Sequence, residues 1–338
     1  MNRSLKATGV AGFVRPLSAL LLAMDSASTE HTLVGAAMIL LSSLCLLTNF
    51  VVLTTIAAHA EFRVLSSFRI VLLMGVFDVL QLTGHFVTGI FTVAQYNAGF
   101  WSYKVIGVMV SPSYECYVFT TILLAFNRFV LMCCPWAESI VFSSKGFKIW
   151  VLFTFLIFVC FGGVHLSPFA YSRYLIDLYK WDYDPMYPWN TVRQHIIIYY
   201  QIFGVLIAWL FYIAITINLL KLKHQVASVT RFKANRKILL HAFVITVYSS
   251  VMNLLWHKID IVLEPGKMQN FVINMMWIGN GGLSPLLCIA LNKLLRKRIY
   301  VMFCVRLLNH SRVNTSTNAP PEVNHSARTS MRSSQEKP

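Results

Sequence analysis

Runs of about 20 residues without ionised side chains alternate along this chain with short segments rich in lysine and arginine. A helix rises about 1.5 Å per residue, so each run is long enough to cross a hydrocarbon core of roughly 30 Å. A soluble helix of this length would need a charged face, and these runs have none. The pattern predicts seven membrane-spanning helices, at residues 32–58, 70–94, 105–128, 149–170, 196–220, 238–262 and 268–292.

The composition supports an all-α integral membrane protein built as one seven-helix bundle. The 338 residues are 57% hydrophobic and 12% charged, whereas soluble domains are about 25% charged. Residues 1–31 precede the first span, and their apolar run "RPLSALLLAM" is either a signal sequence or part of an extracellular segment. After the seventh span we expect an amphipathic juxtamembrane helix at residues 293–306 and a disordered cytoplasmic tail at residues 307–338.

The distribution of positive charge predicts the orientation. With the C-terminus inside, the inner loops hold sixteen lysines and arginines and the outer segments hold nine, so the N-terminus is expected outside. The formal net charge of +16 then reflects contact with anionic membrane lipid and a cytoplasmic partner, and it needs no nucleic acid. Seven cysteines lie outside the predicted outer loops, which argues against an extracellular disulfide framework. Three lie at the inner membrane edge, as palmitoylation sites or as free thiols: Cys133, Cys134 and Cys304.

Two carboxylates interrupt the apolar runs, and each needs protein neighbours, water or a proton. Asp78 shares one helix face with Gln81 and His85, so this face should point into the bundle, as a functional network or as a polar clamp. Glu115 follows Pro112, which can kink the third span, and it either meets a ligand or bonds to a neighbouring helix.

A ligand pocket is expected in the outer half of the bundle. Trp256 and Asp260 near the outer end of the sixth span, with Trp277 on the seventh, would add aromatic and polar groups to His85 and Glu115. Tryptophan is also common at membrane interfaces without any ligand. The sequence contains no HExxH, GxSxG or Walker motif, so it predicts no enzyme activity, no cofactor and no metal site.

Several motifs resemble those of G protein-coupled receptors of the rhodopsin-like type. "NRFVLMCCP" resembles their DRY segment, with Asn127 in place of the acid, Arg128 as the arginine and Pro135 seven residues further on. Asn49 in "TNFVV" and Asp78 in "GVFDVLQL" resemble the polar pair of the first two helices.

The end of the seventh span carries a second resemblance. "GNGGLSPLLCIALN" is similar to the NPxxY region, with Ser284 for the asparagine, Pro285 retained and Cys288 for the tyrosine. The usual cysteines of the third span and second outer loop, the CWxP motif and the proline of the fifth span are missing, so no amine or peptide ligand carries over. The strings "FRIVLLMGVFDVLQL", "SPSYECYVF" and "LLAFNR" are most similar to nematode serpentine receptor class T, with class X as a close alternative.

The resemblance implies a multi-pass plasma-membrane chemoreceptor of sensory neuron cilia. Such a receptor binds a small molecule from outside and activates a heterotrimeric G protein. It implies that Arg128, with its head reaching water at the inner edge, acts in coupling together with Asn127, Pro135, Ser284 and Pro285. It also implies a polar core formed by Asn49, Asp78 and Asn280. A seven-span transporter or ligand-gated channel is the alternative, and a structural protein without a ligand is a third reading.

Overall fold

The computed structural model describes residues 8–221, 226–258 and 266–305. Asp260, the side chain of Cys304 and the predicted tail at 307–338 lie outside this part of the chain. Within it, seven helices are long and apolar enough to cross a membrane, which confirms the predicted number. We call them the first to seventh spans: Ser28–Ala58, Ser66–Ala94, Phe100–Cys133, Ser144–Leu166, Trp189–Lys221, Leu239–His257 and Lys267–Leu291.

The helix ends differ from the predicted windows where local backbone chemistry decides them. The first helix is continuous over Thr8–Ala58, so no break separates the first span from the segment predicted at residues 1–31. The fourth helix ends at Leu166 instead of residue 170, because Ser167 precedes Pro168 and adopts an extended conformation. The sixth helix begins at Val226, before the apolar window, since a helix can continue into water beyond the hydrocarbon.

The third span lies at the centre of the bundle. Its apolar window is 67% buried, against 17% for the fourth span and 22% for the fifth, which sit at the periphery. The first and second spans pack tightly through small residues: a Cβ at Gly35 would lie 2.7 Å from the carbonyl oxygen of Gly89. Close backbone approach of this kind is typical of helix packing in membranes.

A β-hairpin between the fourth and fifth spans was not predicted, so the fold is mostly, not entirely, helical. Strand β1, Ser172–Leu175, pairs antiparallel with β2, Lys180–Tyr183, with Ser172 opposite Tyr183. Tyr179 closes the turn in the left-handed conformation, with φ of 53°. Four-residue strands carry too short an alternation for the sequence to reveal them. We call this end of the bundle the hairpin end and the other the Arg128 end.

Short helices follow the first, third and seventh spans at the Arg128 end. They are Ala60–Arg63, Pro135–Val141 and Lys293–Ile299, the last followed by a π-helical turn at Tyr300–Val305. Pro135 occupies the first position of its helix, where the missing N–H costs nothing. The Asn292 side chain caps the juxtamembrane helix by accepting a bond from the Leu295 N–H at 3.0 Å.

Candidate functional site

A buried polar group lies at mid-bundle, where the sequence placed the polar core. Asn49, Asp78 and Asn280 are all fully buried, but no hydrogen bond joins any two of them. Tyr117 of the third span donates to the Asn280 side-chain oxygen at 3.1 Å. Both carboxylate oxygens of Asp78 lack a hydrogen-bond partner among the described residues. The core is therefore centred on the tyrosine as much as on the three predicted residues.

Pro285 explains the position of Asn49. Proline has no N–H, so the carbonyl of Gly281, four residues earlier, has no helical partner. The Asn49 side-chain amide donates to this carbonyl at 2.8 Å and ties the first span to the seventh. The neighbouring Ser284 carbonyl accepts a bond from the ring of His241 at 3.2 Å. The motif proline thus creates a contact between helices.

An aromatic cluster centred on Trp277 lies between this core and the hairpin. The Trp277 ring makes edge contacts with Trp256 at 4.8 Å and with His85 at 5.0 Å between centroids. Its Nε1 donates to the side chain of Gln81 at 2.9 Å. Both ring nitrogens of His85 lack a partner among the described residues. Three of the five predicted ligand residues are therefore brought together: His85, Trp256 and Trp277.

Glu115 lies apart from the aromatic cluster and joins the third span to the fifth. Gln201 donates to one carboxylate oxygen at 2.9 Å, and the Gln201 side-chain oxygen contacts the ring of His257 at 3.0 Å. Tyr200 donates to the Glu115 backbone carbonyl at 3.0 Å. Sequence reasoning missed Gln201, because a single glutamine in an apolar run gives no signal of its partner.

The hairpin covers the aromatic cluster. A small cavity of about 30 Å³ remains beneath it, lined by Trp181 and Tyr183 of β2, by Trp256 and Trp277, and by Arg193. Arg193 is only 4% exposed. Its guanidinium stacks on Tyr183 at 4.7 Å and leaves one nitrogen, Nη1, without a partner in the described part of the chain. From the amino-acid sequence alone, Arg193 cannot be distinguished from the other cations of the predicted outer segments.

Two tyrosines anchor the hairpin to the first and second spans. The Tyr174 hydroxyl accepts a bond from Thr92, and burial raises the pKa of Tyr174 to about 12. The Tyr179 hydroxyl donates to Glu30 at 3.0 Å and contacts His31 at 3.1 Å, and burial raises its pKa as well. Both hydroxyls therefore stay protonated at neutral pH, and the cover over the cavity is held in place.

Lys104 joins the third span to the segment before the hairpin. Its ammonium donates to the carbonyls of His165 at 2.9 Å and of Ser167 and Ala170 at 2.5 Å each. It is only 1% exposed. The first two of these carbonyls belong to the C-terminal end of the fourth helix, where a cation is favourable. This contact holds the third span against the end of the fourth helix and the segment that leads into the hairpin.

Arg128 is enclosed at the other end, which corrects the expectation that its head reaches water. The side chain is 1% exposed, and all three guanidinium nitrogens lack a hydrogen-bond partner among the described residues. Asn127 turns away from it, donating to Ser66 at 2.9 Å and accepting from Ser67 at 3.1 Å. An acid at this position would offer the arginine a carboxylate, and Asn127 offers none.

A cavity of about 300 Å³ adjoins Arg128. The second, third, sixth and seventh spans and the start of the juxtamembrane helix form its walls. Lys237, His241 and Lys293 add further nitrogen atoms to the lining, and Cys288 adds a thiol. Cys133 and Cys134 are half-buried free thiols close to the end of the third span, so lipidation at either stays a prediction. We found no group of three or more potential metal ligands in the described residues.

A surface ion pair fixes the juxtamembrane helix to the loop after the first span. Arg298 donates to both carboxylate oxygens of Glu61, at 2.7 and 3.0 Å. This hydrogen bonding lowers the pKa of Glu61 from its ordinary value of 4.5. The pair is formed at neutral pH and helps to position one wall of the Arg128 cavity.

Seven apolar helices around a buried polar core define a multi-pass membrane protein with the seven-helix receptor architecture. Residues 22–312 match the family described as "Serpentine type 7TM GPCR chemoreceptor Srt", and the chain belongs to that family. The resemblance to class T is thereby confirmed. A search of curated protein sequences found no match. The family is one of chemosensory receptors and not of enzymes.

Proposed function

We propose that this chemoreceptor binds a small-molecule stimulus at the hairpin end and activates a heterotrimeric G protein at the Arg128 end. The supporting observation is that one helix, the third span, carries both sites. Tyr114 contacts Trp277 at 5.4 Å between ring centroids, Tyr117 stacks on Tyr114, and Arg128 lies three helical turns further along. A displacement of this helix at one end therefore reaches the other through packed side chains.

The hairpin end is the outer side in this proposal, in agreement with the lysine and arginine distribution. The stimulus occupies an enlarged form of the cavity beneath the hairpin, where Trp256 and Trp277 supply apolar surface and Arg193 a polar contact, and it reaches the His85 ring behind Trp277 once the cavity opens. Because the cavity holds only about 30 Å³, binding requires the hairpin or the sixth span to move. Asp260 remains a predicted ligand contact. The plasma membrane of sensory neuron cilia is the proposed location.

Activation moves the inner end of the sixth span away from the third. Two hydrogen bonds tie these spans together at mid-bundle and towards the hairpin end, between Tyr117 and Ser249 at 3.3 Å and from Tyr114 to Asn253 at 2.5 Å, so the inner end of the sixth span pivots about them. Ligand and G protein favour the same open conformation, so each raises the affinity of the other. Arg128 then contacts the G protein, while Ser284 and Pro285 permit rearrangement of the seventh span.

Nucleotide exchange on an added G protein tests this function. Receptor and G protein are reconstituted together, a panel of small volatile and water-soluble compounds is screened, and Arg128→Ala is compared with the parent. We expect Arg128→Ala to abolish ligand-dependent exchange at normal surface expression. Lys148→Ala, which removes an exposed cation near the start of the fourth span, should retain it. If a substrate-dependent current appears in cells without G proteins and no variant catalyses nucleotide exchange, the receptor function is refuted and the channel alternative is supported.

A further inference from the structure

Arg128 is a buried cation for which the described part of the chain supplies no counter-charge. Its guanidinium is 1% exposed, and none of its nitrogens finds an acceptor among the described residues. A buried guanidinium is stable only when an anion or several acceptors compensate its lost hydration. The five donors of arginine are arranged to bind carboxylate or phosphate oxygens in pairs.

Among the described residues, no acid is positioned to provide that compensation. The two described carboxylates at this end are Glu61, which pairs with Arg298, and Glu138 of the helix Pro135–Val141, and neither lines the cavity. The stretch 222–238, whose side chains lie almost entirely outside the described residues, contains no Asp or Glu in its sequence. The position next to the arginine is Asn127, whose amide is already bonded to the second span.

The cavity beside Arg128 has the charge and size of an anion site. Its lining includes two further cations, Lys237 and Lys293, both exposed at the surface, and no carboxylate. Asn292, Ser67 and His241 supply polar atoms, and leucines form much of the remaining wall. A volume of about 300 Å³ lies at the lower end of the range for small-ligand pockets.

We propose that this cavity binds a phosphate group, carried by a soluble cytosolic ion or by an inner-leaflet lipid headgroup, and that Arg128 is its principal ligand. Lys237 and Lys293 attract the phosphate at the mouth of the cavity. The bound anion links the third, sixth and seventh spans and holds them together. It occupies the space that the G protein needs, so it opposes coupling. Only this last step rests on the proposed function.

Thermal unfolding of the purified full-length chain in nanodiscs tests the site without any G protein. One arm uses pure phosphatidylcholine discs with inorganic phosphate or inositol 1,4,5-trisphosphate, at ionic strength held constant with potassium chloride. The other arm uses discs containing phosphatidylinositol 4,5-bisphosphate and no added phosphate. We expect a saturable rise of the unfolding temperature in at least one arm. The first arm identifies a soluble anion as the source and the second a lipid headgroup.

Three variants separate a specific site from general charge attraction. Arg128→Gln should weaken binding at least about tenfold, because a charge-assisted pair of hydrogen bonds is lost. Asn127→Asp keeps the arginine but offers it an internal carboxylate, so it should weaken binding to a similar degree while remaining folded. Lys148→Gln removes an exposed cation away from the cavity and should bind as the parent does.

Two results would overturn the proposal: no saturable stabilisation in either arm, or equal stabilisation of the parent and of the Asn127→Asp and Arg128→Gln variants. If the chain stabilises with phosphate but catalyses no nucleotide exchange, the anion site stands and the coupling function fails. If it exchanges nucleotide, the same anion should lower exchange by the parent and leave exchange by Asn127→Asp unchanged.

Discussion

Replacement of Lys104 by methionine tests how the hairpin end is held together. The ammonium makes three hydrogen bonds, to the carbonyls of His165, Ser167 and Ala170, and is almost fully buried. A hydrogen bond to a charged group contributes about 1.5 to 3 kcal/mol, so the three together contribute about 4.5 to 9 kcal/mol. Burying the ammonium costs several kcal/mol of this. The net loss of unfolding free energy in Lys104→Met, which keeps an unbranched apolar stem one heavy atom shorter, is therefore about 3 kcal/mol.

Two measurements follow from that magnitude. The apparent unfolding temperature of the purified receptor should fall by roughly 4 °C, because about 2.1 cal/mol/K per residue over 338 residues gives an unfolding entropy of about 0.7 kcal/mol/K. Hydrogen exchange in β1 and β2 should accelerate, because the segment before them is released. Lys180→Met is the matched control, since Lys180 pairs with Asp182 at the surface at 3.0 Å and such pairs contribute at most about 1 kcal/mol. Equal stability of Lys104→Met and the parent, with unchanged exchange, would refute the role assigned to Lys104.

Three further predictions concern other parts of the bundle. Asn127→Asp should lower basal nucleotide exchange, because the carboxylate would restrain Arg128; an unaltered baseline contradicts this. Trp277→Phe should cost about 1 to 3 kcal/mol of stability, since Gln81 loses its donor, and additivity with Gln81→Leu in a double-mutant cycle would show that the bond contributes nothing. The Glu61 carboxyl has a lowered pKa in the folded chain, so its contribution is present at neutral pH and is lost only as the pH falls below about 4.5. The hydrogen-exchange protection factor of the helix Lys293–Ile299, which is corrected for the pH dependence of intrinsic amide exchange, should thus be unchanged between pH 7 and 5 and fall in more acidic solution; a fall already at pH 6 would contradict the assignment.

The sequence predicted the number of spans and the family, and it singled out Arg128 by its motif, but it did not predict the contacts that these residues make. Charge-free runs identify helices because hydrocarbon leaves backbone groups no other partner. Motif spacing singled out Arg128 and Pro285, because each is recognised from residues close to it in the chain. The enclosure of Arg128 could not be inferred, because it depends on how the second, sixth and seventh spans pack around it.

Partners far apart in the chain were decided by tertiary structure alone. Gln81 binds a tryptophan 196 residues away, and Gln201 binds Glu115 across 86 residues. Helix rotation and packing determine such pairs, and an isolated polar residue in an apolar run gives no indication of its partner. Lys104 and Arg193 had the same appearance in the sequence as any loop cation. The sequence by itself determined which segments enter the membrane and what chemistry they carry, because hydrophobic burial acts on each segment separately. Only the tertiary structure decided which charges are compensated, because compensation requires a partner at hydrogen-bond distance.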